Sequence, residues 1–562
     1  MKLDIKQRSF KAEEITYMDR KAITLDRTLL KLFELLRYDG RPAVRSSRAA
    51  IEVGTLVQAM QKHPERFPGL AERPNVAAAW LANDLLEIMN RGKAGREAVV
   101  GPRPFHLNAY KLTNAQAAQD YGSGEQVWAM IYHADRDLLT RLKDFFGRGL
   151  DTSIDKYDRS TPLDLETLAI LGLADQVLVS PRTGAASAPR VPLCRAQGRV
   201  LCDDLRRLLA YESVVPRHVL ASYIRTVIGL HLGLFLLRLF RLVPIRVQAA
   251  LKGQPDPVCP LEELAASNSG AASTWSAQEC SLSRCPFGGE IVVSLATGAN
   301  ALPSALARAS ASEHMAGLAD YIRAVILLNR VKEYAGPRAK DVDGWLEIVR
   351  HPEPDMNGFF QARINDAISQ DNKDEEEKPI VHEILGVQHL SLLEKYVELI
   401  CLARMTNERQ RLSSMLDSLT QKNRPDGFLR QNAGKRSARW FSLESGLLET
   451  LVQIAVLKPD AQAQGGFVSQ NVLLDEFIGW LRTRYGFVVY APAHREVPPE
   501  EHEAWRENER ELRRRLQQIG FFTDLSDAYN SQTLRPRYRI QAAPAPEADA
   551  QVLEAATGKG EL

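Results

Sequence analysis

Apolar residues recur every three to four positions through much of this chain, the period of helices with one buried face. Leu29, Leu30, Leu32, Phe33, Leu35 and Leu36 form a broad stripe that predicts a helix over 25–36, closed by Gly40 and Pro42. The same spacing predicts helices over 76–89 and 127–146. Residues 217–252 read as a long apolar helix with a basic end, and another helix buries Leu318, Tyr321, Ile322, Val325, Ile326 and Leu328. Residues 389–419 read as one long helix whose apolar positions, among them Leu392, Tyr396 and Leu399, hold no clean heptad. Residues 290–295 predict a strand.

The C-terminal pattern changes character. Ser442 caps a predicted helix that runs to Leu457, and a second helix is predicted over 472–485, stopped by Gly486. A β-rich run follows over 487–491. A charged helix is predicted over 499–519, and Tyr538 and Ile540 alternate with arginines as in a half-exposed strand. Pairing of that strand with 487–490 would build a winged helix-turn-helix, with the charged helix inserted in its wing. Such a domain sets a helix in the major groove while basic side chains hold phosphates. The candidate DNA contacts are Lys435, Arg436, Arg439, Arg482, Arg484, Arg513, Arg514, Arg535, Arg537 and Arg539. Asp475 and Glu476 at the start of the candidate recognition helix oppose base reading, and many winged helices bind protein instead.

The fold class expected is mainly α and multidomain, with small β elements. A helical N-terminal domain is placed at 1–150 and a mixed, mainly helical domain with cysteine-containing loops at 151–370. A connecting helix lies at 380–425, the winged-helix-like domain at 426–540 and a disordered tail at 541–562. Residues 370–378, QDNKDEEEK, read as a solvated linker.

With 562 residues, 45% hydrophobic and 25% charged, the composition suits globular domains. Lys and Arg total 72 against 70 Asp and Glu, so any basic surface is local. The longest uncharged apolar run, residues 226–237, falls short of the roughly 20 residues a membrane span needs, and reads as a buried helix. A cytoplasmic protein with no membrane partner is expected. Of six cysteines, Cys401 falls on a helix face and the others lie between 194 and 285. Cys280 and Cys285 have ligand-pair spacing, and with Cys194 and Cys259 would make four thiolates for a structural zinc; Cys202 is an alternative to Cys194, and buried free thiols are the other reading. No HExxH pattern points to a catalytic zinc, and no P-loop is present, so ATP hydrolysis by this chain is not expected.

The stretches LDRTLLKLFELLRYDGRPAVRSSRAAIEVGTL, GLHLGLFLLRLFRLVPIRV, WFSLESGLLETLVQIAVL, LLDEFIGWLRTRYGF and FFTDLSDAYNSQTLRPRYRI resemble a component of the bacterial methylation-associated defence system, an accessory protein of phage-defence gene clusters. The resemblance implies partnership with other proteins of that system, including an ATPase, and with invading double-stranded DNA. It carries no active-site residues. The reading expected is a non-enzymatic DNA-binding sensor or scaffold. The alternatives are an adaptor that docks an ATPase or nuclease through Leu392, Tyr396 and Leu399, and a metal-dependent nuclease drawing on Asp203, Asp204, Glu313 and His314.

Overall fold

The computed structural model describes residues 10–45, 50–93, 96–158, 160–184, 186–257, 259, 285, 288–295, 302–369, 378–434, 437–463, 465–491, 498–521 and 533–541. Residues 370–377 of the linker expected at 370–378, Cys280, Lys435, Arg436 and the tail from 542 lie outside the described residues.

The chain is mainly helical, with short two-stranded sheets. The helices that build its core are α1 (Leu25–Arg37), α2 (Ser123–Ala134), α3 (Arg195–Leu209), α4 (Arg217–Leu251) and α5 (Leu318–Ala335). After them come α6 (Val342–Arg350), α7 (Leu392–Leu419), α8 (Ser445–Ala455), α9 (Leu474–Tyr485) and α10 (Pro499–Gln518).

α4 is the axis. Its apolar residues face all round rather than on one stripe, the pattern of a helix enclosed by protein. It is long and apolar enough to cross a membrane, yet 94% of its most apolar window is buried within the chain. α1, α2, α3, α5, α6, α7 and α8 all pack on it. Two glycines let neighbours approach closely. A Cβ at Gly229 would stand 2.5 Å from Leu25, and one at Gly233 would stand 2.8 Å from the Phe428 ring. Among the described residues, one contiguous cluster of buried side chains runs from Phe10 to Leu534.

Several predicted elements form differently. The helix expected over 127–146 is two helices, because the Asp135 carboxylate accepts from the Leu138 N–H and starts a new helix at Arg136–Phe146. The segment 76–89 ends as a strand, Leu86–Met89, paired antiparallel with Ala98–Pro102. Glu444 rather than Ser442 is the N-cap of α8.

The expected wing is corrected. Phe487–Val488 pairs in parallel with Ile291–Val292, and Val293 bridges Phe441. Val472–Leu473 pairs with Thr533–Leu534. Ile540 exchanges hydrogen bonds with Ser469, not with the 487–490 strand. The charged helix α10 is no wing insertion. Its buried Asn508 donates to the Val293 and Val489 carbonyls and accepts from the Leu295 N–H, so α10 lies across the parallel pair. Arg515 donates to the Leu443 carbonyl (2.7 Å) and to that of Leu295.

Candidate nucleic-acid interface and the ion-paired core

The expected DNA contacts have separate fates. Arg484 is 4% exposed at the end of α9, with its guanidinium on Asp204 and Asp203. It is corrected from surface contact to core. Arg482 holds Glu290 at 2.6 Å, and Arg439 holds both oxygens of Asp417 at 2.7 and 2.9 Å. On α10, Arg513 pairs with Glu509 and Arg514 with Glu511, one helical turn apart. Arg537 pairs with Glu449 and lies over the Phe521 ring. Arg535 and Arg539 are exposed and have no side-chain partner among the described residues. Arg535, Arg537 and Arg539 share the segment pinned to Ser469 by Ile540 and by the Tyr538 carbonyl.

The Arg484 site is a buried polar cluster that joins three helices. Asp204 on α3 is fully enclosed. Its Oδ1 accepts from Arg484 Nε at 2.9 Å, while its Oδ2 accepts from Tyr485 Oη at 2.7 Å and from His231 Nε2 at 2.8 Å. The carboxylate fixes the His231 tautomer with hydrogen on Nε2, and Gln197 meets Nδ1. Burial alone would raise the Asp204 carboxyl. Arg484 and His231 outweigh that penalty and hold it below the usual carboxylate range. Burial drives His231 the other way, below the ordinary imidazole value, so it stays neutral. Every ligand position of this carboxylate is taken by the protein itself.

The other residues considered for chemistry are also committed to structure. Glu313 is exposed and pairs with Arg241, while buried His314 directs Nδ1 at the Ser310 carbonyl. Of the expected docking residues on α7, Tyr396 and Leu399 are fully buried and Leu392 is half-buried. Buried His106 donates from Nε2 to the Arg148 carbonyl and accepts at Nδ1 from the Asn108 N–H; burial and then Arg217 push it down to about 3.

Cys194, Cys259 and Cys285 line one cavity of about 630 Å³. Among the described residues, no group of three or more His, Cys, Asp or Glu side chains is placed to hold a metal ion. Cys202 and Cys401 are buried in the core.

Four of the five arginines of α4 show the same economy. Arg217 donates to the Phe105 and Phe146 carbonyls, and Arg225 bridges Asp26 and Asp426. Arg241 binds the Gly288 carbonyl and Glu313, and Arg246 binds Asp256 and Asp343. Each reaches a segment remote in sequence. Sequence reasoning missed these ties; the signal available was an arginine at intervals along an otherwise apolar helix, since a buried guanidinium needs partners.

The geometry defines a class: a mainly helical body, threaded on one enclosed helix, whose charged side chains chiefly bind its own segments together. The chain belongs to the family of methylation-associated defense system protein MAD7, whose family model matches residues 5–538. No curated protein and no solved structure matches it. The family is the one to which the resemblance in the sequence pointed.

Proposed function

We propose that this chain is a non-catalytic scaffold subunit of a bacterial antiviral defence assembly. The observation that carries the reading is the use made of its charged and titratable groups. Asp204, His231 and Arg484 saturate one another in the core, and four α4 arginines tie remote segments. A catalytic carboxylate or imidazole must meet its substrate, and these do not reach solvent. Family membership supplies the setting: other proteins of the same defence system are the partners of such a body.

A second reading is favoured by Arg535 and Arg539, exposed on either side of Arg537 on one pinned segment. In this reading the scaffold holds double-stranded DNA through that segment, reduced from the wider set the sequence suggested.

One experiment tests both. The full chain and an Arg535→Glu/Arg539→Glu variant are co-purified with the other proteins of the system, then titrated with duplex DNA across a salt series with Mg²⁺ present. The variant is expected to keep its protein partners while losing DNA affinity, with the salt slope reduced by about two. Equal DNA binding by both proteins removes the DNA reading. Cleavage of the DNA by the purified chain, or failure to co-purify with any protein of the system, overturns the scaffold.

A further inference from the structure

Four of the five α4 arginines have firm oxygen partners, and Arg238 is the exception. It is 4% exposed. Its Nη1 reaches only the Cys194 sulfur at 3.7 Å, and its Nη2 is buried with no hydrogen-bond partner among the described residues. A buried cation with so little compensation is costly unless an anion joins it. Arg238 lines the cavity of about 630 Å³ described above.

The start of α3 lines the same cavity. Cys194 is its N-cap and supplies no side-chain acceptor, and the first turn carries no acidic residue. Its leading N–H groups are therefore donors with positive helix-end charge behind them. Charge around the wall points the same way. Arg190 is paired with Glu14, and Arg246 with Asp256 and Asp343, while the Asp341 carboxylate caps α6 through the Gly344 N–H. That leaves Arg238 at the buried wall, with exposed Arg195 and Lys340 also lining the cavity, as cations without an acidic partner among the described residues. Leu242 and Val342 add apolar surface to the wall.

We propose that this cavity binds a phosphoryl group, with Arg238 and the first turn of α3 as its cradle and Arg195 and Lys340 as outer cations. Tetrahedral oxyanions accept from several donors at once, which suits a guanidinium fork facing a helix end. The volume admits an organic body attached to the phosphate.

The test is calorimetric titration of the full chain, in phosphate-free buffer, with inorganic phosphate, AMP and adenosine. Cys194 alkylation by iodoacetamide, read by mass spectrometry, reports occupancy at the site itself. Binding of AMP or phosphate, with slowed Cys194 alkylation and no binding of adenosine, is the expected result. AMP tighter than phosphate assigns a phosphorylated small molecule, and equal affinities assign the free anion. Arg238→Met is expected to weaken binding about tenfold or more. Arg195→Ala and Lys340→Ala, both at exposed positions, are each expected to weaken it severalfold and keep the test open if Arg238→Met does not fold. No binding of phosphate or AMP to the wild-type chain overturns the proposal, as does binding unchanged in all three variants. Stoichiometric zinc whose removal exposes Cys194, Cys259 and Cys285 to alkylation, with phosphate giving no protection, also overturns it: the counter-charge of Arg238 is then a metal–thiolate group.

Discussion

Asp204 and the glutamates of α10 meet arginines in two different media. Asp204 sits at zero exposure with every oxygen engaged. On α10, Arg510 reaches Glu507 and Glu503 with roughly half of each side chain in water. The bonds look alike in length, but water screens the second set, and losing it exposes nothing that was hidden. Losing one partner of the first set leaves a buried charge with only part of its compensation. Distance alone therefore says little about an ion pair's contribution; what surrounds it decides.

The sharpest way to break this comparison is Asp204→Ala. It leaves His231 and Tyr485 without their acceptor and Arg484 with Asp203 as its remaining carboxylate, and is expected to cost about 3–5 kcal/mol in urea unfolding. Arg484→Met added to Asp204→Leu should recover much of that loss, because no lone charge then remains. A cost under about 1 kcal/mol for Asp204→Ala would show that water enters the cluster.

Acid should separate the regions next. His106 and His231 are held below the ordinary imidazole value when folded, so the unfolded chain takes up protons first as pH falls. Stability from each is complete above about pH 6.5 and declines below it; for His106 the decline is about 1.4 kcal/mol per pH unit, down towards about 3. His106→Gln is expected to flatten the unfolding midpoint between pH 6.5 and 4. An unchanged slope would mean that His106 is protonated in the folded chain. The smallest effect belongs to Arg510→Ala, within about 0.5 kcal/mol by the same unfolding assay. A larger loss would give the α10 surface a structural weight that its exposure does not predict.

The long helices were legible from sequence because their signal is local. The 25–36 stripe and the 217–252 apolar run appear as α1 and α4 with ends displaced by a residue or so. The break at Asp135 was also local, since an Asp followed by a fresh apolar period is an N-cap signature, and it was passed over. Strand partners were not legible. Phe487–Val488 finds Ile291–Val292 far upstream, and runs of two residues carry too little pattern to select a mate. Arg484 failed as a DNA contact for a related reason. Its neighbours Arg482 and Gly486 suggested a basic helix end, while its true partners, Asp203 and Asp204, belong to α3. The family resemblance held because it drew on text along most of the chain, which no single site could supply.

The enclosure of α4 has a consequence for how the protein is made. Translation finishes this apolar helix at Leu251, but α7, α8 and the Arg484 that locks α3 are synthesised afterwards. At 5–20 residues per second, the interval from Leu251 to Arg484 is roughly ten to fifty seconds. For that time each nascent chain carries its stickiest segment only partly covered on the ribosome, and several chains on one message carry it side by side. Synthesis of this protein is therefore expected to depend on chaperone cover, and slow translation before residue 484 should lower its yield more than slow translation after it.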